Sequence, residues 1–198
     1  MEKENKNILK KIIDRLYGGI DMTWPKVIIY AVVTALIAFA ALVLPVFKDT
    51  SIERIGVHLE AWIFFAVIIM ANCKKPLESA LKTFVFFLIS QPLIYLLQVP
   101  FNTYGWGIFS FYGYWFKLTL LTFPAAYIGW YINKKNWLSV LIFTPVIALL
   151  AGFFYNAAFE CFISFPHLLL TALFCLMQIV LYICVFFPDI RMKAAGAL

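Results

Sequence analysis

The side chains in this sequence that could exchange a proton or fix a charged ligand are few. They are His58, Glu60, Lys117, Glu160 and His167, and each lies in or beside a long apolar run. A His/Glu pair can do acid-base work, but His58 and Glu60 are two residues apart and so point to opposite sides of a helix. They need different partners. No HExxH, no GxSxG and no P-loop occurs, so the usual signatures of zinc, serine and nucleotide chemistry are missing. Asp14, Asp21, Asp49 and Asp189 all fall outside the apolar runs, which leaves no pair of spanning aspartates. The four cysteines make no CxxC, and no Cys/His spacing resembles a metal site. No catalytic residue, cofactor or metal is therefore assigned.

A second group is polar but neutral. Gln91 and Gln178 each interrupt an apolar stretch near its middle, and Gln91 stands directly before Pro92. Such residues in a membrane helix either tie helices together or face a cavity. Tyr104 and Trp106 sit in the aromatic, glycine-broken segment 101–115, which reads as an interfacial belt or as a lid over a pocket. Asn156, Glu160 and His167 fall in a later loop that would lie near the same mouth.

The elements that must position these groups are membrane helices. The 198 residues are 64% hydrophobic and 19% aromatic, with 13% charged, against about 25% charged in soluble domains. Six runs approach the roughly 20 residues a bilayer requires: 27–47, 57–73, 83–101, 115–132, 137–155 and 166–187. The basic residues cluster at one end of these runs, which predicts both termini inside and a multi-pass protein of a bacterial cytoplasmic (inner) membrane. The net charge of +6 is thus a topology signal, and no nucleic-acid partner follows from it. Residues 1–26 read as a cytoplasmic amphipathic interfacial segment, because Ile8, Leu9, Ile12, Ile13, Leu16 and Tyr17 share a helical stripe opposite Lys6, Lys10, Lys11 and Arg15. Gly18-Gly19 would end that helix. Residues 188–198 form a short cytoplasmic tail.

Counting rise per residue places Glu60 roughly 20 Å and Lys117 roughly 22 Å above the inner ends of their spans, so a Glu60–Lys117 contact is expected. The same count puts Pro92, Pro124 and Pro145 at one level. Each frees a carbonyl four residues back, which Ser90, Thr122 and Thr144 could satisfy. Three aligned kinks suggest helices that diverge above the bend and enclose a pocket.

The fold expectation is an all-α integral membrane protein of six transmembrane helices. The leading functional expectation is small-molecule binding or transport through an outward-facing pocket, with Glu60, Lys117, Gln91, Gln178, Tyr104, Trp106, His58, Asn156, Glu160 and His167 as candidate ligand contacts. Ala31, Ala35 and Ala38 make a small-residue face on the first span that could meet a separate membrane protein. Six spans, an alanine-rich first helix and an outward pocket resemble, as architecture, the substrate-binding S-components of energy-coupling-factor vitamin transporters. That resemblance implies capture of a vitamin-like ligand and docking of a coupling protein at Ala31-x-x-x-Ala35. Two other readings compete: a non-transporting membrane interaction or accessory protein, and a small intramembrane enzyme acting on lipid or quinone.

Overall fold

The computed structural model describes residues 2–187, so the tail expected at 188–198 lies outside the described residues. Among the described residues there are eight α-helices: α1 Glu2–Leu16, α2 Trp24–Val43, α3 Ser51–Val57, α4 Leu59–Ala71, α5 Pro76–Gln98, α6 Tyr112–Gly129, α7 Trp137–Ile163 and α8 Leu169–Phe186. Among the described residues there is no strand. Among the described residues four helices, α2, α5, α7 and α8, are long and apolar enough to cross a membrane. The chain is therefore an all-helical, multi-pass membrane protein by length and composition.

Helix ends follow local chemistry. Pro25 and Pro76 occupy first-turn positions in α2 and α5, where the missing N–H is no loss. Asn136 opens α7 through a capping box: its side chain accepts from the Ser139 amide while the Ser139 hydroxyl accepts from the Asn136 amide. At the end of α1, Gly18 takes φ +140°, a conformation open to glycine and costly for other residues.

The run 57–73, expected as one span, is helical over Leu59–Ala71 as α4, and its first residue, Val57, ends the separate short helix α3. Thr50 caps α3 by accepting from the Ile52 amide at 3.3 Å. His58, in extended backbone at φ −83° and ψ 163°, then breaks α3 from α4. The run 137–155 continues instead to Ile163, so Asn156, Glu160 and Cys161, expected in a loop, lie on α7. α8 begins at Leu169, three residues after Pro166.

The helices pack as two pairs, α5 with α6 and α7 with α8, while α2 lies along α5. Short α4 sits among them. Ala31, Ala35 and Ala38 of α2 are fully buried in the core. Nearby, a Cβ on Gly56 of α3 would come within 2.9 Å of the Ala41 Cβ. The small-residue face is thus used within the chain itself, and its backbones approach closely for that reason.

One end of the bundle is basic and well tied. Asn72, just after α4, donates to the carbonyls of Leu16 (2.5 Å) and Ile68 (2.8 Å) and accepts from the amides of Gly18 (3.1 Å) and Ile20 (2.8 Å). All four bonds of a primary amide are made. Trp130 Nε1 donates to the Cys73 carbonyl at 2.7 Å and Asn133 to that of Met70 at 3.1 Å. Buried Lys82 of α5 donates to the Met22 carbonyl and to Glu78, with the Trp24 ring 5.7 Å away.

Candidate functional site

A cavity of about 840 Å³ lies between α4, α5, α6 and α7. Its origin is the pairing just described: α6 leans on α5 and α7 on α8, so α6 and α7, neighbours in sequence, barely touch. Trp62 and Met70 of α4, Phe87 and Gln91 of α5, Leu121 of α6 and Leu141 of α7 line it. Leu121 and Leu141 are 62% and 70% exposed, so the gap opens along the flank of the bundle. Pro145 also borders it, whereas Pro92 and Pro124 do not.

The lining contains no aspartate, glutamate, lysine, arginine or histidine. Its polar groups are neutral and few. Thr119 and Thr122 turn their hydroxyls back on their own helix, donating to the carbonyls of Trp115 (3.0 Å) and Thr119 (2.6 Å). Thr83 is buried, and its hydroxyl has no hydrogen-bond partner among the described residues. Gln91 is 6% exposed. Thr83 and Gln91 lie eight residues apart on α5, about 12 Å along the axis. The cavity can therefore receive a long apolar body and offer it the neutral amide of Gln91. An ionised headgroup inside it would be left without a countercharge, which is expensive.

The remaining candidate residues are dispersed. Glu60 is completely buried on the other side of α4, and both carboxylate oxygens lack a partner among the described residues. Lys117 is exposed, and among the described residues no ion pair joins it to Glu60. The expected contact fails because equal depth says nothing about direction: α4 turns Glu60 towards α8, while Lys117 faces outward on α6. Gln178 does meet Glu60, donating from Nε2 to its main-chain oxygen at 3.0 Å, and its Oε1 accepts from the Tyr182 hydroxyl at 3.0 Å. Tyr17 packs edge-on against Tyr182 at 6.3 Å, and its buried hydroxyl has no partner among the described residues. Burial pushes that hydroxyl well above the ordinary tyrosine range.

His58 and His167 line a smaller vestibule of about 250 Å³ at the end of the bundle opposite Asn72, together with Asp49, Glu53 and Arg54. Asn156 and Glu160 are exposed on α7. Tyr104 and Trp106 are both 68% exposed and contact Phe111 (6.2 Å) and Phe109 (6.0 Å), with neither bordering the large cavity. The proline-layer donors also differ from expectation: Thr144 bonds the Val140 carbonyl at 2.8 Å, Thr122 that of Thr119, and the Ser90 hydroxyl is buried without a partner among the described residues. Reasoning from sequence missed Thr83 and Trp62 as cavity residues. Only their helical register with Phe87, Gln91 and Ala66 could have pointed to them.

Among the described residues no group of three or more His, Cys, Asp or Glu side chains could hold a metal ion. The fold and the flank cavity define a class, an all-helical membrane protein with an apolar intramembrane cavity. No protein-family model, no curated protein and no solved structure matches the chain.

Proposed function

We propose that this protein binds a neutral amphiphile from the bilayer in the cavity between α4, α5, α6 and α7. The observation that carries the reading is the combination of about 840 Å³ of space, within the range of ligand pockets, with a charge-free lining open along the flank. Gln91 would meet the ligand's hydroxyl, carbonyl or amide group. In this reading the chain crosses the membrane six times with both termini inside, and α4 and α6 complete the set begun by α2, α5, α7 and α8. The basic end around Asn72, Lys74, Lys75, Lys134 and Lys135 then faces the cytoplasm, as the positive-inside rule requires.

The test uses fluorescence quenching in proteoliposomes with a dibrominated long-chain alcohol. Trp62 borders the cavity but is only 2% exposed, so it is shielded from ordinary lipid. The expected result is a saturable quenching component that Trp62→Phe together with Trp115→Phe, the other tryptophan on the lining, removes and that Ala125→Phe, which fills the cavity from an exposed position, weakens at least tenfold. Quenching that never saturates, or that Ala125→Phe leaves unchanged, overturns the proposal.

A further inference from the structure

Glu60 is the strongest anomaly in the molecule. It is the one carboxylate among the described residues that is 0% exposed, and neither oxygen has a hydrogen-bond partner there. An ionisable group inside a membrane protein is costly and by default marks a function. The large cavity does not use it, since Leu59, Trp62 and Ala66 face that cavity while Glu60 and Phe64 face α8, Phe64 meeting Phe174 at 5.9 Å.

Its surroundings form a column. Thr171, Cys175, Gln178 and Tyr182 follow one another on α8 at spacings of four, three and four residues, and all four are completely buried. That spacing sets them on one face of the helix, over about 16 Å. Thr171 donates to the Ser51 carbonyl of α3 at 3.5 Å. Gln178 holds the Glu60 main chain and Tyr182, and Tyr182 leads to Tyr17. The upper end abuts the vestibule: Leu168 and Arg54 both line it, while the Arg54 Nε is buried without a partner among the described residues.

The titratable and charged groups around Glu60 can be enumerated by element. Arg54 comes from α3 and Cys175 from α8, and Glu60 and Arg54 both lie within electrostatic reach of the Cys175 thiol. His58, at the start of α4, and His167, between α7 and α8, line the vestibule with Asp49 and Glu53. Tyr182 lies below Gln178, with Tyr17 against it. On α5, Glu78 and Lys82 sit at the basic end, and Tyr95 turns towards Phe109 and Tyr112. On α2, Lys26 and Tyr30 lie within the first two turns.

We infer that Glu60 is an intramembrane proton-binding site, loaded and unloaded through the vestibule lined by His58 and His167. In the loaded state a proton from vestibule water forms an O–H bond on one carboxylate oxygen. In the unloaded state the proton returns to the vestibule, and Arg54, at the boundary between vestibule and column, is the countercharge. A buried carboxyl can only be neutral or matched by a nearby cation, and this arrangement offers both.

The experiment is infrared difference spectroscopy of the full chain in proteoliposomes, titrated with pH, reading the C=O stretch of a protonated carboxyl group. The expected result is a component of the carboxyl signal that is absent in Glu60→Gln and moved in frequency in Glu60→Asp, which keeps the acid if the amide variant fails to fold. In Arg54→Gln the pH dependence of that component should change, a change that a purely structural role for Arg54 would not produce. Saturable quenching by the brominated alcohol should be unchanged in Glu60→Gln, so this site and the cavity stand or fall separately. A carboxyl signal unaffected by Glu60→Gln and Glu60→Asp, or a component that does not respond to pH, overturns the inference.

Discussion

Gln178 Nε2 donates to the main-chain oxygen of Glu60 across 3.0 Å, joining residues 118 apart in sequence. The bond ties the middle of α8 to the first turn of α4, and Tyr182 completes the other face of the same amide. Replacing Gln178 with Leu leaves the Tyr182 hydroxyl without its acceptor inside the bundle. Loss of about 1–2 kcal/mol of stability is expected, measured by unfolding in mixed detergent micelles, with Tyr182→Phe in the same background adding less than it does alone.

Asn72 fixes the segment after α1 to the end of α4 with four hydrogen bonds. Asn72→Ala should destabilise by about 2–3 kcal/mol. Hydrogen exchange offers the sharper check, because the amides of Gly18 and Ile20 should lose protection before those of α5 or α8.

At Gly56 the test is steric. A methyl group there meets the Ala41 Cβ at 2.9 Å, and alanine has no flexible end to move aside. Gly56→Ala should cost about 1–3 kcal/mol, and the double change with Ala41→Gly should recover part of it. A double mutant no better than Gly56→Ala would place the strain elsewhere.

Lys117→Met should change stability by less than about 0.5 kcal/mol, because the ammonium is exposed and not paired with Glu60. The same unfolding assay decides it. A large loss would restore the pairing expected from depth.

Gln91→Leu bears on selectivity in the cavity. Affinity for an alcohol or amide of long chain should fall about five- to twentyfold, corresponding to roughly 1–2 kcal/mol for one hydrogen bond. Affinity for the matching hydrocarbon should stay level or rise.

How far the sequence could be read is clear from these residues. The apolar runs behind α2, α5, α7 and α8 were plain in the hydropathy, as was the unusual depth of Glu60, Gln91 and Gln178. Direction was not, since counting rise along a helix gives height and leaves its rotation open. Glu60 therefore met Gln178 of α8 where a contact with Lys117 was expected. The short helix α3 before His58 was hidden because it carries no hydropathy run of its own, and the Thr50 cap shows only once the chain has turned. Asn156 and Glu160 were read as loop because polar side chains end a hydropathy run, although α7 itself stops only at Ser164. The cavity was least visible of all. It arises from the sparse contact between α6 and α7, and a contact left unmade has no residue to mark it.

That sideways gap also changes what a binding constant means here. A molecule entering between α6 and α7 comes from the hydrocarbon phase, where its concentration is set by partitioning and by the amount of lipid present. Occupancy should then follow the ligand's mole fraction in the bilayer. An apparent dissociation constant expressed per volume of water will rise in proportion as more vesicles are added at fixed protein.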